Sequence, residues 1–590
     1  MRPHPQGVLP EGNQYLISPE DAAAAARSRA EGLGALARLP DDLILRVLSG
    51  GDDDDGAGPS ALAALARCSR ICRAFAYHED LWKAAVLTRW GGDFAFVGGS
   101  WRATHAAATA RERVGGGDRD DATDAGTRTT ADASRGRDHP SPSPSPSPSS
   151  SRSSPVFSDA LYLRHVAAHL PLDPDWLSRD DLPREDAARL SVEDFVRRFE
   201  SPNLPVILTG ACSRWPAMDG RWSRERMTET HGATRFTVGG YQMSLSDFWR
   251  YCDDADDDAK LYLFDKNFVA KAPDLGEAYE PPEFFRDDLF QLLGESARPD
   301  YRWLIAGAAR SGSSFHKDPN ATSAWNAVIR GRKKWILFHP DRIPPGVHPS
   351  ADGDVVAQPV SLVEWYMNFY HHAREEEEEE DEEDDEEEEE DENDEEDEDE
   401  RDDGAARASR SKRPRVIPGT GGVPGDGVPT VLEGVCGPGD VLFVPSGWWH
   451  MALNLDECVA VTQNFCSPRT LPRTLRFLRD AAECADAKLA AELVSGTSRD
   501  ERGSLYERFL AVLREKRPEV LDPGGAASAP RETPGGGTKD EKPPGTKPPG
   551  RNARPNANGT GNLAGLFGGG GGEGGGEGES RGGVSFAFNF

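Results

Sequence analysis

Apolar residues at Leu39, Leu43, Ile44, Val47 and Leu48 recur at helical spacing, behind Pro40 and Asp41, which suit a helix's first turn. Two further amphipathic stretches follow, "ALAALARCSRICRAFAY" (61–77) and "EDLWKAAVLTRW" (79–90), so residues 34–100 read as a small all-α unit of three helices. From residue 158 the period changes. "LPVILTGACSRWPA", "LYLFD", "YRWLIAGA", "KKWILFHP", "DVLFVP" and "CVAVTQNF" are short β-type runs between turn residues, with helices such as "DDLFQLLGE" among them. This pattern predicts a mainly β fold over 158–521, a sandwich or jelly-roll barrel with flanking helices. Residues 1–33, 101–157 (ending in a Ser-Pro repeat) and 522–590 (Gly/Pro-rich) lack this patterning and are expected to be disordered.

Charge adds one feature. The net charge of −33 is concentrated in 375–403, where 27 Asp or Glu and one Arg leave only −7 for the rest. This run lies within an insert, 374–427, that interrupts the β pattern. A self-repelling disordered loop explains it; so does attraction of basic substrates such as histone tails or Lys/Arg-rich proteins. Direct nucleic-acid binding is not expected. "RASRSKRPR" (407–415) is similar to a nuclear import signal, which gives the nucleus, with the cytoplasm besides, as the expected location. No apolar run suits a signal peptide or a membrane span. The eight cysteines are scattered; Cys68 and Cys72 have no second Cys/His pair nearby to complete a zinc site.

Three His-x-Asp triplets occur, at His78, His316 and His339. In a strand, residues two apart share a face and can chelate one ion. His78 falls in a helical stretch and Pro340 ends the strand at His339, which leaves His316 and Asp318. A third ligand is available in "GPGDVLFVPSGWWHMALNL" (437–455), where a Gly/Pro-framed turn leads to His450. Two imidazoles and a carboxylate leave three octahedral positions open, which suits non-haem Fe(II) that also binds a cosubstrate and O2.

"FHKDPNATSAWNAVIRGRKKWILFHP" together with "GPGDVLFVPSGWWHMALNLDECVAVTQNF" resembles the JmjC domain of the cupin-type (double-stranded β-helix) Fe(II)/2-oxoglutarate oxygenases, in the branch of the lysyl hydroxylase once called the phosphatidylserine receptor. The helical unit, with Leu39-Pro40 and "HEDLWKAAVLTRW", resembles an F-box, and the combination is similar to plant F-box/JmjC proteins. The resemblance implies that His316, Asp318 and His450 hold Fe(II) and that Lys333 pairs with the distal carboxylate of 2-oxoglutarate; a one-residue register slip would give that role to Lys334. It also implies that Asn326, Thr462 and Tyr262 hydrogen-bond the cosubstrate, with Ser313 standing where a near relative has threonine. The implied activity is a lysyl or arginyl hydroxylase or a histone N-methyl demethylase using Fe(II), 2-oxoglutarate and O2 on a basic protein, with a Skp1-type adaptor as a partner of the F-box. The competing expectation is a non-catalytic F-box substrate adaptor of an SCF-type ubiquitin ligase that uses the barrel as a binding module.

Overall fold

A computed structural model of the chain describes residues 2–49, 57–115, 154–350, 356–374, 431–483 and 499–521. The acidic insert beyond Arg374, the Ser-Pro repeat and the 522–590 tail lie outside the described residues. No helix among the described residues is long and apolar enough to cross a membrane.

The chain opens with β1 (Val8–Leu9) and α1 (Pro19–Leu33). The helical unit follows as α2 (Asp41–Ser49), α3 (Pro59–Leu65), α4 (Arg70–Ala76) and α5 (Glu79–Trp90). It has four helices where three were expected, because Ser69 accepts from the Cys72 amide and starts α4 afresh. That break separates the two cysteines: Cys68 is exposed, and Cys72 is buried against the Gly32 carbonyl. Val47, expected on the buried face of α2, is 57% exposed.

Residues 2–33, and 101–115 and 154–157 of the segment 101–157, are ordered where disorder was expected. In 1–33, Ser18 caps α1, whose alanine-rich sequence favours helix without an obvious apolar stripe; Ala25 and Leu33 are buried. In 101–157, α6 (Trp101–Gly115) continues the helical unit, and β2 (Val156–Phe157) pairs in parallel with β1. α7 (Asp159–His169) then leads into the β unit.

The helical and β units share one core in which Phe75, Trp82, Phe96 and Trp101 meet Phe248 and Tyr251. Polar contacts reinforce the junction. The Trp101 indole donates to Asp257 at 2.8 Å, Lys83 lies 3.1 Å from the same carboxylate, and Arg164 on α7 reaches both Asp80 and Asp258 at 2.7 Å.

The β unit comprises β3 (Arg184–Asp186), β4 (Val206–Thr209), β5 (Arg235–Val238), β6 (Tyr241–Ser244), β7 (Leu263–Asp265), β8 (Arg302–Gly307), β9 (Gly312–His316), β10 (Ser323–Arg330) and β11 (Lys333–Phe338). A short pair, β12 (His348–Pro349) and β13 (Val356–Ala357), precedes β14 (Val431–Cys436), β15 (Val441–Val444), β16 (Trp449–Asn454) and β17 (Cys458–Phe465). Among the described residues one sheet runs β3-β4-β15-β10-β17-β8-β7-β5-β6 and the other β14-β11-β16-β9. Ile207, Ala324, Val328 and Leu442 from the first sheet interleave with Trp335, Leu337, Leu432 and Ala452 from the second, filling the jelly-roll interior. Outside the smaller sheet, the helix over 362–374 lays Trp365, Tyr366 and Tyr370 against Phe338, Trp449 and Met451. The helices Leu471–Glu483 and Arg499–Lys516 close the structure around Phe290 and Leu289.

Candidate metal centre

β9 and β16 are antiparallel neighbours, and His316 and His450 are direct partners across them, with ring centroids 4.2 Å apart. Asp318 follows at the turn into β10, its carboxylate 3.8 Å from His450 Nε2. Ligand atoms from all three side chains lie within 4.8 Å of one another. Among the described residues no third His, Cys, Asp or Glu joins either of the other two triplets, His78–Asp80 at 3.8 Å and His339–Asp341 at 3.6 Å, in a ligand cluster.

Each imidazole is oriented by a backbone carbonyl two residues earlier: His316 Nδ1 lies 2.7 Å from the Ser314 oxygen and His450 Nδ1 3.0 Å from that of Trp448. A carbonyl can only accept, so Nδ1 carries the proton and Nε2 is left as the basic nitrogen, the tautomer a metal requires. Burial drops both imidazoles to about 4, the neighbouring ring adding to the effect at His316, so both are neutral at pH 7. Burial raises Asp318 to about 6, an energetic penalty that a bound cation would remove. Asp318 Oδ1 accepts from Asn464 at 3.0 Å, whereas Oδ2 is buried without a hydrogen-bond partner. The donor set therefore fits a divalent metal: two neutral nitrogens, an anionic oxygen and a buried lone pair with no internal use.

Further into the barrel, Lys333 opens β11 opposite Asn454. The preceding turn requires Gly331 at φ +76, where a Cβ would meet the Glu457 carbonyl oxygen at 2.3 Å, and this turn fixes the register. Lys333 is 1% exposed and donates to the Tyr262 hydroxyl at 2.8 Å. Lys334 points out of the barrel and pairs with buried Glu433 at 2.7 Å. Asn326 and Thr462 face each other across β10 and β17; the threonine hydroxyl donates to the Trp325 carbonyl, and Asn326 Oδ1 is buried without a partner. Ser313 lies opposite Ala452, and a bulge in β9 lets it share a face with His316 three residues later. Among the described residues this buried lysine forms no ion pair with a carboxylate, so its ammonium suits the carboxylate of a small bound ligand.

Two interior residues escaped the sequence reading. Asn464 orients Asp318, and its position two residues after Thr462 on one strand was a legible signal. Asn454 stands four residues after His450 on the same face; its amide nitrogen donates to Ser311 and its oxygen is left unsatisfied.

Residues 192–387 match the cupin-like domain family, and residues 363–465 match the family described as "JmjC domain, hydroxylase". The chain is 38% identical to the arginine-specific demethylase JMJ22 of Arabidopsis thaliana, over 87% of this chain and 82% of that protein. It is 29% identical to the bifunctional arginine demethylase and lysyl-hydroxylase psr-1 of Caenorhabditis elegans, over 58% of this chain and 71% of that one. The 2-oxoglutarate and iron-dependent oxygenase JMJD4 of Mus musculus is 22% identical over 57% of this chain and 75% of its own length.

Proposed function

The chain belongs to the JmjC family of iron- and 2-oxoglutarate-dependent oxygenases, and on that premise we propose that it oxidises a C–H bond on an arginine or lysine side chain of a basic protein, with His316, Asp318 and His450 as the iron ligands. The carrying observation is the convergence of two neutral imidazoles and a carboxylate with a buried, unused oxygen in the same barrel interior as the buried Lys333 ammonium. When bound, iron and 2-oxoglutarate supply oxidation by O2 coupled to decarboxylation of the keto acid to succinate. The protein's own residues supply the rest. The two Nδ1–carbonyl bonds and the Asn464 amide hold the ligands in place, and Lys333 with Tyr262 receives the distal carboxylate. Asn326, Thr462 and Ser313 line the space between.

Oxidation of an N-methyl carbon gives a hemiaminal that releases formaldehyde; oxidation of a side-chain carbon leaves a stable alcohol. The relative matched over most of both chains is named an arginine demethylase, which favours methylarginine as the first substrate to test. Incubation with methylarginine, arginine and lysine peptides, read by succinate release and peptide mass, separates the outcomes. Loss of a methyl or gain of one oxygen supports the reading; no succinate above the peptide-free level with any peptide contradicts it.

The order of α2 to α5 supports an F-box-like role for the helical unit, with exposed Val47 available to a Skp1-type adaptor. Pull-down of the full chain with that adaptor, against Val47→Asp, tests it. The basic stretch 407–415 supports nuclear import.

A further inference from the structure

The turn that carries Asp318 into β10 contains two consecutive non-glycine residues in the left-handed region, Asn320 (φ 57) and Ala321 (φ 50). Asparagine tolerates that conformation; alanine has no polar side chain to compensate for its Cβ clash. A strained conformation persists only where its surroundings impose it, and three separate elements do so here. Ser446, in the turn between β15 and β16, donates to the Ala321 carbonyl at 2.8 Å, and Thr474, on the helix Leu471–Glu483, donates to the same oxygen at 3.2 Å. From β17, the Asn464 amide spans Asp318 Oδ1 and Thr322 Oγ1, both at 3.0 Å. Ser446 and Thr474 are 1% and 0% exposed, so water does not compete for these bonds.

We propose that Ala321 is a positioning residue whose strained backbone is clamped by Ser446 and Thr474, and that this clamp aims the Asp318 carboxylate at the two histidines. The inference rests on the metal-ligand reading given under Proposed function and adds to it a coupling between strain and ligand geometry. Without the clamp, the alanine relaxes toward the right-handed region and carries Asp318 off line. A glycine at 321 has no such preference and keeps the competent turn populated even without the clamp.

The test uses the full chain and Mn(II) alone, with metal affinity and metal-free melting temperature as readouts. S446A/T474V is expected to bind Mn(II) about tenfold more weakly, because the competent turn becomes a minority state. Adding A321G to that pair is expected to restore affinity to within about threefold of wild type, since glycine removes the left-handed penalty. A321G alone is expected to raise the metal-free melting temperature by about 1–2 °C, relief of strain exceeding the added freedom of the unfolded chain. S446A alone, which leaves Thr474 and its contact with Cys466 intact, follows the same order in smaller steps and serves if the pair fails to fold. If A321G gives no rescue, or its metal-free melting temperature fails to rise, the clamp is ordinary packing and the inference is overturned. Wild-type protein that binds no Mn(II) overturns the metal-site reading itself, and this inference with it.

Discussion

Lys333 and Tyr262 meet at 2.8 Å inside the barrel, and among the described residues no carboxylate forms an ion pair with that lysine. Its neighbour Lys334 is equally buried but has Glu433 at 2.7 Å. The two lysines therefore predict opposite phenotypes. Lys333→Met is expected to weaken 2-oxoglutarate binding about 100-fold, the loss of a charge-assisted contact, while Mn(II) binding stays. Lys334→Met leaves Glu433 buried without its lysine partner, though still accepting from the Tyr370 hydroxyl, and is expected to cost about 3 kcal/mol in denaturant unfolding. Titration of 2-oxoglutarate into the metal-loaded variants, beside urea melts, checks both.

Asn464 divides its amide protons between Asp318 and Thr322. Asn464→Ala should lower metal affinity by about 10–100-fold, the usual effect of removing a partner that orients a ligand. An Mn(II) titration that matches wild type would show that Asp318 needs no such support.

The acidic run lies outside the described residues, but its effect on binding is testable. Deleting 375–403 removes 27 carboxylates and is expected to weaken binding of Lys/Arg-rich peptides at low salt, with the difference fading as ionic strength rises. Equal peptide affinities at low salt for both forms would reduce the run to a spacer.

Trp101 is 1% exposed, packs against Phe96 and Tyr251 and donates to Asp257, tying the helical unit to the β unit. Trp101→Ala is expected to cost about 3–5 kcal/mol. Because the core is shared, calorimetry should show one transition for the helical and β units; two separate transitions would mean that they fold independently.

The parts of this molecule that were readable in sequence are those governed by local period. Strands with apolar runs bounded by turns and the opposite facing of Lys333 and Lys334 follow from alternation on a pleated sheet, whereas the meeting of His316 with His450 was carried by the family resemblance of their two motifs. What escaped depends on partners distant in the chain. α1 shows little amphipathic pattern, yet it packs through Leu33, and α6 begins with a tryptophan whose partner is Asp257. The bulge that aligns Ser313 with His316 and the left-handed pair at Asn320 and Ala321 are imposed by pairing and clamps from elements more than 100 residues away.

The central claim is that three side chains from β9, its following turn and β16 hold one metal ion. Anaerobic titration of Fe(II) with 2-oxoglutarate present measures it directly through the metal-to-ligand charge-transfer absorbance. The account predicts one Fe(II) per chain for the wild type, and no such band for His316→Ala, Asp318→Ala or His450→Ala while their far-UV spectra stay unchanged. A full-strength band in Asp318→Ala or His450→Ala, or none in the wild type, would contradict it.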